Sequence, residues 1–162
     1  MPLNELHRPQ FDIGCHTRPA PGELLCGDLA AAFELRDGVL LALADVSGHG
    51  DKAYALATDI NRFLSLNADS DITSLMSRLH VTLHGTQGAA VALLHIDVTN
   101  ATAHFCAVGN TRAYRIAGAP WRPISKDGVL GQRLPTLSLQ STPLKNADVI
   151  MLWTDGVPEL AG

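Results

Sequence analysis

The chain has 162 residues, of which 46% are hydrophobic and 17% are charged, enough to bury the core of a single domain. Its formal net charge of −4 argues against nucleic acid as a partner and favours divalent cations. Cys15, Cys26 and Cys106 lack the spacing of a zinc site or a disulfide framework, which predicts reduced, buried thiols. Without a signal or an apolar segment long enough for a bilayer, we expect a soluble, cytoplasmic protein with no membrane partner.

The first half of the chain predicts strands followed by two helices. After a polar lead-in at 1–10, strands are expected at 11–15, 29–35 and 39–46, the last two joined by a tight turn at Arg36-Asp37-Gly38. Asp71 is the expected N-cap of the second helix, which Gly85 ends. Apolar residues recur at helical spacing in two stripes: Ala53, Leu56, Ala57, Ile60 and Leu64, then Ile72, Leu75, Met76, Leu79 and Leu83.

The second half predicts mostly strands. Segments 89–98, 101–108 and 111–116 have strand-like composition, are joined by short polar or glycine-bearing turns, and are expected to form an antiparallel meander. Residues 121–143 contain prolines and glycines that predict a loop-rich excursion, and 148–153 is the last strand. The order of elements predicts an α+β layered fold, and the absence of repeats or linkers predicts one domain over 1–162.

Three aspartates lie where predicted strands end beside glycine or a turn: Asp28, Asp45 and Asp155. Any one of them alone is more often a turn residue than a ligand. If they converge, their oxygens suit magnesium or manganese, and a metal-bound water could then hydrolyse a phosphoryl group. The pattern therefore predicts metal-assisted hydrolysis.

Other chemistry-bearing residues have simpler interpretations. His49, in the turn after the third strand, is interpreted as a helix-entry residue. His80 and His84 are four residues apart but lack the glutamate of a zincin motif, so both are predicted to be surface residues. The segment 48–52 has neither the spacing nor the Ser/Thr of a phosphate-binding loop.

Four ordered motifs resemble those of the metal-dependent type 2C protein phosphatases. The resemblance is to the SpoIIE/RsbU/RsbX branch, and most to the RsbX-like stressosome feedback phosphatases, over about residues 14–160. Arg18-Pro19 with Gly22-Glu23, the stretch 85–90 and Asp127-Gly128 through Gly131 also resemble that subgroup. The motifs are Cys26-Gly27-Asp28, Asp45-Val46-Ser47-Gly48-His49-Gly50, Ala107-Val108-Gly109-Asn110-Thr111-Arg112 and Trp153-Thr154-Asp155-Gly156.

The resemblance implies a four-layer α/β/β/α sandwich of two antiparallel sheets and a site for two manganese or magnesium ions. By that analogy Asp45 bridges both ions, the Val46 carbonyl binds one, Asp155 binds the other, and Asp28 acts directly or through the second shell. It also implies phosphoserine or phosphothreonine substrates on RsbR- or RsbS-like stressosome or partner-switching proteins. Arg18 and Asn110 are the candidate substrate-binding residues.

Three departures from the family pattern temper the expected activity. Asn110 stands where relatives carry aspartate, so no third metal site is expected, and Ser47 occupies the position of a proposed general-acid histidine. A further metal-binding aspartate, usually supplied by a last strand, is missing before Gly162. Either the chain is a shortened version of a longer polypeptide, which we favour, or it is a natural variant with a depleted site. Both readings predict weakened metal binding.

The depleted ligand set leaves an alternative function open. A catalytically weak or inactive phosphatase-like module would bind stressosome partners through the same surface without turning them over. A purely structural domain, in which the aspartates are only turn residues, would require four ordered motif matches to be accidental.

Overall fold

The computed structural model describes residues 5–8, 11–19 and 21–155. Two helices separate an N-terminal group of strands from a C-terminal one. The strands are β1 (Glu5–Arg8), β2 (Phe11–Gly14), β3 (Asp28–Leu35), β4 (Gly38–Val46), β5 (Ala89–Asp97), β6 (Thr102–Val108), β7 (Arg112–Ala117), β8 (Gln140–Pro143) and β9 (Val149–Trp153). The helices are α1 (Gly50–Asn67) and α2 (Ile72–Thr82).

A five-stranded antiparallel sheet in the order β3-β4-β5-β6-β8 forms the centre of the fold. Its first hairpin turns at two residues, Arg36 and Asp37, because Leu35 already pairs with Gly38. The expected turn included Gly38, but this glycine begins β4 instead. A Cβ there would overlap the Ile96 carbonyl oxygen of β5. Glycine is therefore needed because the neighbouring strand lies close, rather than for the turn itself.

Both helices cover one face of this sheet. The two predicted apolar stripes are buried, α1 mainly against β3 and β4 and α2 against β5 and β6. Asp71 caps α2 as predicted, since its side chain accepts a hydrogen bond of 3.0 Å from the Ser74 N–H. The helices and the inner residues of the sheet form one continuous apolar core.

The other face of the five-stranded sheet packs against a smaller sheet made of β7 and β9. The predicted meander is therefore wrong in its third strand, because β7 leaves β6 and pairs with β9. The free edge of β6 is occupied instead by β8, with Phe105 opposite Gln140. A second core, which includes Leu43, Leu94 and Phe105, fills the space between the sheets.

The observed class is α+β, with two antiparallel sheets facing each other and helices outside, as predicted. In the described part of the chain, both helices lie outside the larger sheet. Two short strands were not predicted: β1 lies inside the expected polar lead-in and pairs with β2, and β8 lies inside the expected loop. Of the motif residues, Gly156 lies outside the described residues, as do positions 1–4, 9–10 and the rest of the C-terminus.

All three cysteines are free; Cys106 is fully buried, whereas Cys15 and Cys26 are only half-buried. Burial raises the pKa of the Cys106 thiol to about 11, so it stays protonated. Neither α1 nor α2, the helices within the described ranges, is long and apolar enough to cross a membrane.

Candidate active site

Asp28 and Asp45 face each other across the first hairpin. Asp28 begins β3 and Asp45 is the second-last residue of β4, and the two are direct cross-strand partners. Each lies seven residues from the turn, so the two-residue turn that aligns Leu35 with Gly38 also aligns the two acids. Side chains alternate along a strand, which puts Asp45 on the same face as Leu43. Both carboxylates therefore lie at the end of the space between the two sheets.

Burial and close approach make ionisation of both carboxyl groups less favourable than in a free aspartate. Burial, followed by the charges of Asp28 and Asp155, raises the pKa of Asp45 to about 6, and a hydrogen bond to Asp28 adds to the rise. Burial also raises the pKa of Asp28, although its hydrogen bonds to Thr154 and Asp45 oppose that rise. Asp45 therefore ionises at a higher pH than a free aspartate. A bound cation would offset the unfavourable negative charge of the two carboxylates.

Asp155 is brought to this pair by the smaller sheet. It follows β9, and the hydroxyl of the preceding Thr154 donates to Asp28 Oδ2 at 3.2 Å, which links the two sheets at the site. The side-chain amide of Asn110, in the turn between β6 and β7, donates to Asp155 Oδ2 at 3.0 Å. The predicted convergence of the three acids is therefore seen as one touching pair and a third carboxylate close enough to shift the pKa of both.

An open cleft of about 600 Å³ begins at this cluster. Its described walls carry aspartates but neither lysine nor arginine. They comprise Asp45, Val46, Ser47, Gly48, Ala90, Gly109, Asn110, Ser125, Asp127, Gly128, Val129 and Asp155. A phosphate group would meet mainly negative charge there unless a cation were present.

Asp127 is a cleft residue to which the sequence assigned no role. It lies in the loop after β7, and its Oδ2 is 2.6 Å from Nη2 of Arg133, an exposed pair at the cleft rim. Ser125, nearby in the same loop, donates its hydroxyl to the Gly109 carbonyl at 2.7 Å. Asp127-Gly128 repeats the aspartate–glycine pair of Asp155-Gly156, but it lies in the predicted loop rather than at the end of a predicted strand.

The remaining candidate residues lie outside the aspartate cluster. His49 is the N-cap residue of α1, as predicted, and its exposed ring contacts Glu23 at 2.8 Å rather than an aspartate of the cluster. Arg18 is exposed and is not among the described residues that line the cleft, so its role stays a prediction. His80 differs from its expected surface role: it is half-buried and accepts a hydrogen bond from Gly131.

The donor chemistry of the cluster fits a divalent cation of the magnesium type. Asp28, Asp45 and Asp155 carry hard carboxylate oxygens of the kind that magnesium binds, and the raised pKa values of Asp28 and Asp45 indicate that their negative charge is poorly compensated. Within the described ranges, however, no three acidic, histidine or cysteine side chains are already grouped as a closed ligand set. Waters and backbone oxygens would then complete the coordination, as is usual for magnesium.

The fold and this acidic sheet edge define the class of protein as one with the type 2C phosphatase fold. A family model described as stage II sporulation protein E (SpoIIE) matches residues 36–161, most of the chain. The chain therefore belongs to the SpoIIE family. Among curated proteins it is similar to the phosphoserine phosphatase RsbX of Bacillus subtilis (strain 168), with 23% identity over 143 residues, covering 86% of this chain and 72% of that protein.

Solved structures agree with this assignment of the fold. A structure from work on the bacterial stressosome as a modular system for secondary messenger signalling superposes with a TM-score of 0.84 at 26% identity, covering 91% of this chain and 78% of that one. RsbX in complex with magnesium gives 0.80 at 22% identity, with 89% and 74% covered. The phosphatase domain of SpoIIE from Bacillus subtilis gives 0.63 at 22% identity, with 78% and 40% covered.

Proposed function

We propose that this chain is a metal-dependent phosphoserine/phosphothreonine protein phosphatase. The observation that carries the proposal is the cluster of Asp28, Asp45 and Asp155 at one end of a cleft whose described walls contain neither lysine nor arginine. Such a site repels a phosphate dianion until a cation neutralises it. The aspartates that would hold the metal for phosphate hydrolysis are therefore also the reason that activity would depend on it.

In this proposal the chain's own residues divide the work. Asp45, Asp28, Asp155 and the Val46 carbonyl would hold one or two magnesium or manganese ions, with Asp45 as the central ligand. The bound metal supplies a water of lowered pKa and neutralises charge on the phosphoryl group. Asn110 fixes one oxygen of Asp155 through its amide, and its position in the cleft wall suits contact with a phosphate oxygen. Arg18 is kept as a second candidate for phosphate contact from outside the described cleft walls.

The substrate class follows from the shape of the cleft and from the relatives. The cleft is open, so a phosphoserine or phosphothreonine on a protein surface can reach the aspartates. Similarity to RsbX and to a stressosome structure supports RsbR- or RsbS-like stressosome or partner-switching proteins as the substrates, in the cytoplasm. Removal of the phosphate would return such a partner to its unphosphorylated state.

Phosphate release from a phosphoserine peptide, with magnesium or manganese and then with excess EDTA, tests the proposal. We expect turnover that requires the metal and that Asp45→Asn abolishes. Asp59→Asn is the matched control, because Asp59 is an exposed acid on α1 paired with Arg62, away from the cleft. Full activity in EDTA, or equal activity in Asp45→Asn and wild type, would refute the proposal.

One observation favours a second candidate, a module that binds phosphorylated partners with little turnover. Asp155 Oδ2 is already engaged by Asn110, and the described part of the chain contains no closed group of three ligand side chains. The two candidates separate in a binding measurement. Affinity for a phosphorylated scaffold protein that survives both EDTA and Asp45→Asn, in a protein without turnover, identifies the binding module.

A further inference from the structure

One wall of the cleft is a loop that contains no regular strand. Residues 125–133 contribute Ser125, Asp127, Gly128 and Val129 to the lining. The loop begins beside β6, where the backbone N–H of Lys126 donates to the Ala107 carbonyl at 3.0 Å. At its tip a tight turn brings the Arg133 N–H to within 2.8 Å of the Val129 carbonyl oxygen. The position of the wall therefore depends on what holds the tip of this turn.

The tip is held at two adjacent residues. Leu130 is fully buried and exchanges two backbone hydrogen bonds with Ala89 at the start of β5, of 2.9 and 3.2 Å. Gly131, also buried, donates its backbone N–H to Nδ1 of His80 at 3.0 Å. A Cβ at residue 131 would come within 2.5 Å of the Leu83 carbonyl oxygen, so only glycine lets the tip lie this close to the end of α2.

We propose that His80 is a positioning residue, which holds the cleft wall in place through Gly131. His80 does not line the cleft itself, and it acts two residues along the chain from Val129, which does. Because Nδ1 accepts the hydrogen bond, the neutral ring carries its proton on Nε2. The effect on catalysis rests on the proposed phosphatase function, whereas the effect on the loop does not.

The contact with His80 is the one hydrogen bond that the described residues offer to the Gly131 N–H. A buried N–H that loses its acceptor must either open to water or remain unsatisfied, and both outcomes favour movement of the tip. Movement at the tip shifts Val129 and, through the turn, Arg133, which contacts Asp127 at the rim. Helix α2 is thereby coupled to the cleft without touching the aspartate cluster.

Three variants of the full chain test the proposal. His80→Ala removes the acceptor, and His80→Asn places an amide oxygen where Nδ1 lies. His84→Ala is the matched control: it is exposed and its ring meets that of His80 edge-on, but it makes no hydrogen bond to Gly131. We expect His80→Ala to speed amide hydrogen exchange at Gly131 by about tenfold or more and to raise KM for a phosphoserine peptide more than it lowers kcat. His80→Asn should recover most of both, and His84→Ala should change neither.

The readouts separate this inference from the proposed function. Exchange at Gly131 tests the hydrogen bond even if the wild-type chain proves to have no phosphatase activity. The inference is overturned if exchange in His80→Ala equals that of wild type, or if His84→Ala causes the same change. Should His80→Ala fail to fold, exchange in His80→Asn is compared with His80→Gln, whose oxygen lies one carbon farther out; equal rates in the two would also overturn it.

Discussion

The two ends of the five-stranded sheet both carry aspartates, yet their surroundings differ. At the hairpin end, Asp97 accepts hydrogen bonds from the backbone and side chain of Asn100, at 2.9 and 2.7 Å, and these hold its pKa below the usual range. The pKa of Asp71, at the start of α2, is also lowered, by hydrogen bonds from the Ser74 N–H and the Thr73 hydroxyl. At the cleft end, Asp45 has a pKa raised to about 6. Asp97 and Asp71 thus accept hydrogen bonds from nearby donors, whereas the charged groups that act on Asp45 are other acids.

This difference distinguishes an aspartate that shapes a turn from one that is proposed to bind a cation. Both kinds lie at strand or helix ends beside polar residues, so the chain gives them similar local sequences. What separates them is the nature of the nearest partner in space.

The largest effect is expected for Asp45→Asn. It should lower kcat for a phosphoserine peptide by at least about a hundredfold, because a ligand and a metal-orienting charge are both lost. The thermal midpoint of the metal-free variant at pH 8 should not fall, since like-charge repulsion with Asp28 is removed at the same time. Activity within threefold of wild type, or a large fall in the midpoint, would place Asp45 with the structural aspartates instead.

Asp97→Ala should lower stability and leave activity nearly unchanged. It leaves the Asn100 N–H and side-chain amide without their partner, which we expect to lower the free energy of unfolding by about 2 kcal/mol. Denaturant unfolding measures this loss, and kcat/KM per folded molecule should stay within about twofold of wild type. A selective loss of activity with stability intact would contradict the comparison.

The raised pKa of Asp45 predicts how metal binding depends on pH. A cation must displace the proton of Asp45, so magnesium affinity should fall about tenfold for each pH unit below about 6, and should level off above it. Calorimetric titrations at pH 5, 6 and 7.5 measure the slope. Without metal, the folded pKa of Asp45 exceeds that of an unfolded aspartate, so the stability this group contributes is lost as pH rises from about 4 to about 6. An affinity independent of pH would argue against Asp45 as a ligand.

The smallest effect is expected for the helix cap. Asp71→Ala should destabilise the protein by about 1 kcal/mol, and Asp71→Ser should restore most of that loss because serine also accepts from the third N–H of the helix. The folded pKa of Asp71 is lowered, so its contribution is present at neutral pH and fades as acid protonates it. Equal stabilities of the alanine and serine variants at pH 7 would contradict the role of a cap.

Much of this fold could be predicted because apolar periodicity reports burial directly. Four of the five strands of the larger sheet are predicted within one or two residues, as are both helices, with Asp71 as the cap. The short strands β1 and β8 are not predicted because each contains at most one large apolar residue and so has no hydrophobic alternation. The partner of β7 was wrong because alternation indicates a strand but not the sheet that it joins.

The candidate site was predictable in part, for a related reason. Asp28, Asp45 and Asp155 could be chosen because strands end at them, and their neighbourhood in space depends on pairings that the family resemblance implied. Asp127 and His80 could not be assigned, since both act through a loop whose path is set by tertiary contacts. No local sequence rule distinguishes a half-buried histidine that accepts a loop N–H from an exposed one.

The two-residue turn at Arg36 and Asp37 sets the register of a site at the far end of the sheet. Seven strand residues separate each aspartate from the turn, so Asp28 lies opposite Asp45, and the distance between the carboxylates depends on the length of this loop. One extra residue in that loop would put a different side chain opposite Asp45 and turn β3 over, exposing its apolar face. Changes in loop length are usually tolerated at protein surfaces, but this loop carries the spacing of the aspartate pair.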